Sequence, residues 1–287
     1  MTAVHAPLTT DPGVFGPDDL EGLVEHYRHR GYAILRGLLG DEQLAGITAE
    51  CADAQRGVVE GRLPARYGST AFLDDADKAE KFANYVEFVT ELSPAVDAAT
   101  THPVLLEVMR LLIGDGCWLN DDARFGVVYQ DARPGRESGY SRIGWHSDWQ
   151  SSPNLDIWPS TAFTIHIDET SPANGFLRVV PGSHLWATPA PYKNVNNAPV
   201  PDDARPAGGY TDAPPPYDMP LRFEKVPGEI GVYCERGDIL LHDCYLWHSA
   251  ARATDDVTTR RHVRGGFYSG DKLGDGRREV FVKNAAR

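Results

Sequence analysis

Cysteine is scarce and scattered. The four present (Cys51, Cys117, Cys234, Cys244) form no CxxC pair in 287 residues. That spacing argues against a disulfide framework and a thiolate zinc site and leaves reduced, mostly buried thiols. Long apolar runs are missing as well: "VLLEVMRLLI" (104–113) is broken by charges, and no stretch reaches the ~18 uncharged apolar residues of a membrane span. The start, "MTAVHAPLTTDPG", has neither the basic nor the apolar region of a secretory signal. Positive charge is in deficit. With 28 Lys and Arg against 41 Asp and Glu, the formal charge is −13, so a nucleic-acid partner, which needs a basic face, is not expected. Acidity suits solubility and, secondarily, the steering of a cationic substrate. The expectation is a cytoplasmic protein with a small-molecule substrate and no nucleic-acid or membrane partner.

What is present is the pattern of one globular domain spanning 1–287, with a loose arm over 1–13 and no internal repeat. Leu20, Leu23, Val24 and Tyr27 recur at helical spacing in "GPDDLEGLVEHYRHRG" (16–31), and Gly31 is a natural stop. "YAILRGLL" (32–39) reads as a short strand. A helix then starts at Asp41 and puts Leu44, Ile47 and Cys51 on one face. Helical signal continues through 77–92 and 101–114, so 14–115 is predicted largely helical. From 116 to 275 the character changes. "RFGVVYQ" (124–130), "AFTIHID" (162–168), "GFLRVVPG" (175–182), "GDILLHDCYLWHSA" (237–250) and "RHVRGGFYSG" (261–270) are short, β-rich and separated by Gly/Pro turns. That is the pattern of an antiparallel sandwich or barrel, not of βαβ units. Residues 187–228 interrupt it with ten of the chain's 21 prolines. A segment this long inside a compact domain is expected to be a functional lid, the alternative being disorder.

"GWHSDWQ" (144–150) places His146 and Asp148 two residues apart, on one face of an extended strand. A third ligand must come from a distant segment. His26 and His29 lie on the first helix, His102 precedes Pro103, and His184 follows a "PGS" turn. His248 instead ends "GDILLHDCYLWHSA", where Leu240, His242, Cys244, Leu246 and His248 alternate onto one face. His242 is six residues away, about 20 Å along an extended strand at ~3.3 Å per residue, so both cannot ligate one metal while the strand stays extended. Two imidazoles and one carboxylate form a facial triad, which leaves three octahedral positions open. Beyond His248 lie Arg260, Arg261 and Arg264, and an arginine fork matches the geometry of a carboxylate. Arg260 and Arg264 share a face of a regular strand.

In sequence order, "GWHSDW", "AFTIHIDETSPANGFLRVVPGSH" (162–184), "ERGDILLHDCYLWHSA" and "RRHVRGGFYS" resemble the core motifs of the phytanoyl-CoA dioxygenase family. "YRHRGYAILRGLLGDEQLAGI" resembles its helix–strand–helix entry. The resemblance covers most of 17–270. It implies a double-stranded β-helix (jelly-roll) core over 116–275, Fe(II) held by His146, Asp148 and His248, and 2-oxoglutarate and O2 as cosubstrates. It also implies Arg260 as the 2-oxoglutarate anchor, with Arg261 open as the alternative. Tyr129 or Gln130 stands where the family places a polar cosubstrate contact, and Thr164 is a further candidate. One departure is Ala250 two residues after the distal histidine, where the family carries serine; here Ser249 precedes it. Asp148 argues against halogenation, because the related iron halogenases leave that position without a carboxylate. Trp149 and Trp158, following the metal motif, are the candidates for the substrate pocket, whereas Asp168 and Asn174 read as turn-formers. The activity implied is oxidation, by default hydroxylation, of an unactivated C–H bond in a small or medium metabolite of natural-product biosynthesis. The competing class is a cupin-type metal-dependent isomerase or lyase, or a binding module without catalysis.

Overall fold

In the strand Ile239–Asp243, Ile239 and Leu241 face one way while Leu240 and His242 face the other, because successive side chains alternate. The same two-sidedness runs through Ser160–His166 and Arg260–Tyr268 and sets the layering of the molecule. The computed structural model describes residues 12–68, 83–132, 144–189, 194–195, 198–199, 206–220, 222–251, 253–255 and 257–276. Its main sheet has eight strands. Seven run in the order Val14–Phe15, Tyr32–Leu35, Ile239–Asp243, Ser160–His166, Arg260–Tyr268, Val128–Ala132 and Tyr85–Val86. Trp118–Leu119 also pairs with the Arg260 strand. A second sheet holds Ile230–Val232, Leu177–Val179 and His248–Ala250. All pairings are antiparallel except the first two strands of the main sheet.

The two faces of the main sheet do different work. One buries Ala33, Leu35, Tyr129, Phe163, Ile165, Ile239, Leu241, Val263 and Phe267 against helical residues such as Leu23, Ile47, Cys51, Leu105 and Met109. The other encloses Tyr32, Ile34, Val179, Val232, Cys234, Leu240 and Leu246 between the two sheets. This is a jelly roll with helices packed on one outer face, and no described helix is long and apolar enough to cross a membrane. The first helix is Leu20–Arg30, capped by the Asp19 carboxylate on Gly22 N (3.0 Å) and ended by Gly31 in the left-handed region. The Asp41–Val59 helix likewise forms where the spacing predicts it.

Three expectations are corrected. The described part of 77–92, residues 83–92, holds the strand Tyr85–Val86 and is helical only over Val89–Leu92; Tyr85 and Val86 pair with Gln130 and Tyr129, so the sheet edge overrides helical spacing. The run 237–250 is two strands in different sheets. Asp243 ends the first, its carboxylate accepting from Tyr245 N (2.8 Å) and its carbonyl from Leu246 N (3.0 Å), an Asp-based turn. Finally, 144–150 is no regular strand: His146 makes a single bridge to His248, and Asp148–Ser151 is a 3-10 turn.

Part of 187–228 lies outside the described residues. Of the described residues, Asn194–Val195 and Ala198–Pro199 pair with each other, and 206–220 and 222–228 make contacts with the rest of the protein. Ala207–Gly208 pairs with Thr188–Pro189, the Tyr210 hydroxyl donates to Asp243 Oδ2 (2.7 Å), and Tyr217 meets Trp186 and Trp247 edge to face. Arg178 clamps residues 222–229. It donates to Glu229 Oε1 (3.2 Å) and Oε2 (2.5 Å) and to the carbonyls of Phe223 (3.1 Å) and Glu224 (3.0 Å). Its guanidinium also lies over the Trp145 ring, 4.8 Å from the centroid. Arg178→Met leaves Glu229 buried without its countercharge and is expected to cost about 3–5 kcal/mol. Urea denaturation measures this, and a loss below about 1 kcal/mol would show the clamp to be dispensable.

Candidate metal centre

Main-chain bonds bring the distant residues together. His146 N donates to His248 O (3.0 Å) and His248 N to His146 O (2.9 Å). Ser147 between the ligand candidates is extended, which turns His146 and Asp148 to one side. Trp149 N donates to Cys244 O (3.0 Å), fixing the turn that carries Asp148 against the end of the Ile239 strand. As a result, Asp148 Oδ1 lies 3.8 Å from His146 Nε2 and 3.6 Å from His248 Nε2. One donor atom from each of the three residues falls within 4.8 Å of the other two.

Both imidazoles are held in the tautomer a metal requires. His146 Nδ1 is 2.9 Å from Gly144 O, and His248 Nδ1 is 2.9 Å from Leu246 O. A carbonyl only accepts, so each Nδ1 carries the proton and each Nε2 turns a lone pair toward Asp148. Burial, then the neighbouring imidazoles of His146 and His242, push His248 well below its ordinary pKa, so it is neutral. Burial alone would raise Asp148; His248, His242 and His146 outweigh it and hold the carboxyl well below the usual carboxylate range. A carboxylate and two nitrogen donors converging on one point suit a divalent transition metal.

A second polar group lies inside the jelly roll. Gln130, His166, Arg260 and His262 are all buried, and strand phase puts Thr164 and Arg264 on the same inner face as His262. Gln130 Oε1 is 3.2 Å from His262 Nε2 and 3.4 Å from Arg264 Nε. Arg264 lies over the Tyr85 ring, 5.5 Å from its centroid. Burial, and behind it the Arg260 charge, lowers His166 to about 3. This neutral ring has no hydrogen-bond partner at either nitrogen among the described residues. A guanidinium beside an unsatisfied, buried imidazole fits a carboxylate-bearing cosubstrate.

Strand phase also sorts the alternatives. Tyr129, one residue from Gln130, packs into the core beneath the helices. Arg261, one residue from Arg260, forms a bidentate pair with Asp168 (Nε–Oδ2 2.8 Å, Nη2–Oδ1 2.7 Å) at the outer edge. Trp149 packs with Cys244, Trp158 and Tyr245, and Trp158 also approaches Tyr268, with ring centroids 5.7 Å apart. Asn174 braces its turn, accepting from Ser171 N (2.8 Å) and donating to Thr259 O (3.0 Å). Two histidines, His166 and His262, have no part in the sequence expectations, and a third, His242, is set aside there only as a ligand. His242 reaches Asp148 because the chain turns at Asp243 (Nε2–Oδ2 3.2 Å). His166 and His262 face one another across paired strands; the available signal was their phase with Thr164 and Arg264.

A jelly roll with two histidines and one carboxylate on one side of a metal position is the architecture of the non-heme iron(II), 2-oxoglutarate-dependent class. The sequence model of the phytanoyl-CoA dioxygenase family matches residues 27–262, and the chain belongs to that family. An ectoine dioxygenase from Nocardia farcinica (strain IFM 10152) is 30% identical over 194 residues, 63% of this chain. The chain spans 58% of that relative's length. Among solved structures, EctD from S. alaskensis with bound Fe has a TM-score of 0.59 at 16% identity, covering 93% of this chain and 80% of its own. The non-heme alpha ketoglutarate dependent carbocyclase SnoK from nogalamycin biosynthesis has a TM-score of 0.58 at 18% identity, covering 90% and 88%. The epimerase SnoN, solved with Fe3+, alpha ketoglutarate and nogalamycin RO, has a TM-score of 0.56 at 19% identity, covering 88% and 84%. At these identities the structural likeness is one of fold.

Proposed function

We propose that this chain is an iron(II)- and 2-oxoglutarate-dependent dioxygenase that hydroxylates a C–H bond of a small or medium metabolite. The observation that carries the reading is the convergence of His146, Asp148 and His248 within 4.8 Å, with both imidazoles fixed in the metal-binding tautomer. Iron with its cosubstrate supplies the activation of dioxygen. The chain's own residues bind and orient. His146, Asp148 and His248 hold the metal from one side and leave the other side open. Arg260 receives the distal carboxylate of 2-oxoglutarate with His166 beside it, and Gln130 and Thr164 line the space between. Trp149 and Trp158 flank the substrate side, and residues 206–220 and 222–228 wall it off from water. Four free cysteines accord with a reducing, cytoplasmic location.

Hydroxylation is preferred over cyclisation and epimerisation because the relative matched in sequence is an ectoine dioxygenase, whereas SnoK and SnoN are relatives in fold at under 20% identity. An isomerase or lyase of cupin type has no use for a buried arginine beside an unsatisfied histidine. The test is oxygen-dependent conversion of 2-oxoglutarate to succinate by the purified protein with Fe(II). Slow uncoupled succinate is expected, and it should rise when a correct metabolite is added. Conversion independent of oxygen, or none at saturating Fe(II) and 2-oxoglutarate, would overturn the reading.

A further inference from the structure

His242 stands beside the metal centre but is built differently from its ligands. Its Nε2 lies 3.2 Å from Asp148 Oδ2, whereas the other oxygen, Oδ1, faces His146 and His248 at 3.8 and 3.6 Å. Its ring is tilted against His248, centroids 4.5 Å apart. A carboxylate oxygen only accepts, so the His242 proton sits on Nε2. In His146 and His248 the proton sits on Nδ1, held there by a backbone carbonyl in each case. His242 Nδ1 has no such partner among the described residues. A ring whose Nε2 is protonated offers the metal no lone pair there, and His242 lies outside the three-residue ligand set. The side chain is buried on the inner face of its strand, level with Ala162 and Tyr32, and its neighbour Asp243 starts the turn that brings it to Asp148.

We propose that His242 is a positioning residue whose Nε2–H holds Asp148 Oδ2, so that Asp148 presents Oδ1 alone to the metal. This rests on the metal-centre reading above. Three protein donor atoms leave three octahedral positions, enough for a bidentate 2-oxo acid and dioxygen. A carboxylate free to turn both oxygens inward occupies one of those positions and competes with the cosubstrate, not with the metal. Loss of the His242 proton donor therefore weakens 2-oxoglutarate binding more than metal binding.

Co(II) is the probe, used with the whole protein and without turnover. Its visible absorption reports metal binding, and the change on adding 2-oxoglutarate reports cosubstrate binding. His242→Phe keeps a planar ring and removes the donor; His242→Gln keeps an N–H able to reach Oδ2. The phenylalanine variant is expected to bind Co(II) within about threefold of wild type but 2-oxoglutarate about 10- to 100-fold more weakly, the fold-change that corresponds to losing one hydrogen bond to a charged group. The glutamine variant should recover most of that loss. If the phenylalanine variant does not fold, His242→Asn, polar but too short to reach Oδ2, makes the same comparison with His242→Gln. Wild-type 2-oxoglutarate affinity in His242→Phe would overturn the proposal, as would a His242→Gln protein no better than the donor-less variant. Loss of Co(II) to the extent seen in His248→Ala would make His242 a ligand instead. A wild-type Co(II) protein that takes up no 2-oxoglutarate would sink the oxygenase reading itself, and the positioning role with it.

Discussion

His248→Ala is expected to bind Fe(II) more than about 100-fold more weakly than wild type and to form no succinate. Replacing groups that merely support a metal ligand costs up to about 100-fold, and here a proposed ligand itself is removed. The loss should be local. The two strands meet through main-chain bonds, His146 N to His248 O and the reverse, which alanine preserves. Far-UV circular dichroism and a melting curve should therefore stay close to wild type while metal content under anaerobic loading falls to background. One equivalent of iron retained by the alanine variant would remove His248 from the centre.

Arg260→Leu is expected to leave Fe(II) binding intact and to raise the dissociation constant of 2-oxoglutarate by about 30-fold to a few thousandfold. That is the ~2–5 kcal/mol cost of truncating one partner of a buried, hydrogen-bonded charge pair. Arg264→Leu is the control, since Arg264 shares the inner face but lies against Gln130 and the Tyr85 ring. Arg260 instead neighbours His166, the imidazole whose nitrogens have no protein partner among the described residues. The measurement is 2-oxoglutarate titration of the iron-loaded protein without oxygen. A larger effect in Arg264→Leu than in Arg260→Leu would move the anchor four residues along the strand, toward the metal.

The parts of the site readable from sequence were those that depend on residue identity and strand phase. His146, Asp148 and His248 stand out because few residue types ligate metals and the intervening segments are β-rich. Phase left Arg260 against Arg261 and Gln130 against Tyr129 open, because a shift of one residue exchanges the two faces of a strand. The sheet pairings supply that phase: Val263 and Tyr129 lie under the helices, and His262 and Gln130 lie inside. His242 was hidden for a different reason. Its exclusion assumed an extended run to His248, and the turn at Asp243 depends on a side-chain bond to Tyr245 N that alternation does not announce. The helical spacing of 77–92 likewise gave way at Tyr85–Val86 to pairing with a strand more than 40 residues on. Local periodicity cannot register a partner that distant.

The central claim is that His146, Asp148 and His248 hold iron(II) with positions left open for 2-oxoglutarate. Anaerobic addition of Fe(II) and then 2-oxoglutarate to the wild-type protein tests it most directly. A chelated 2-oxo acid on ferrous iron gives a visible charge-transfer band, and the band should saturate at one equivalent of iron and be missing in His248→Ala. A wild-type protein that binds iron yet shows no band at saturating 2-oxoglutarate would contradict the account.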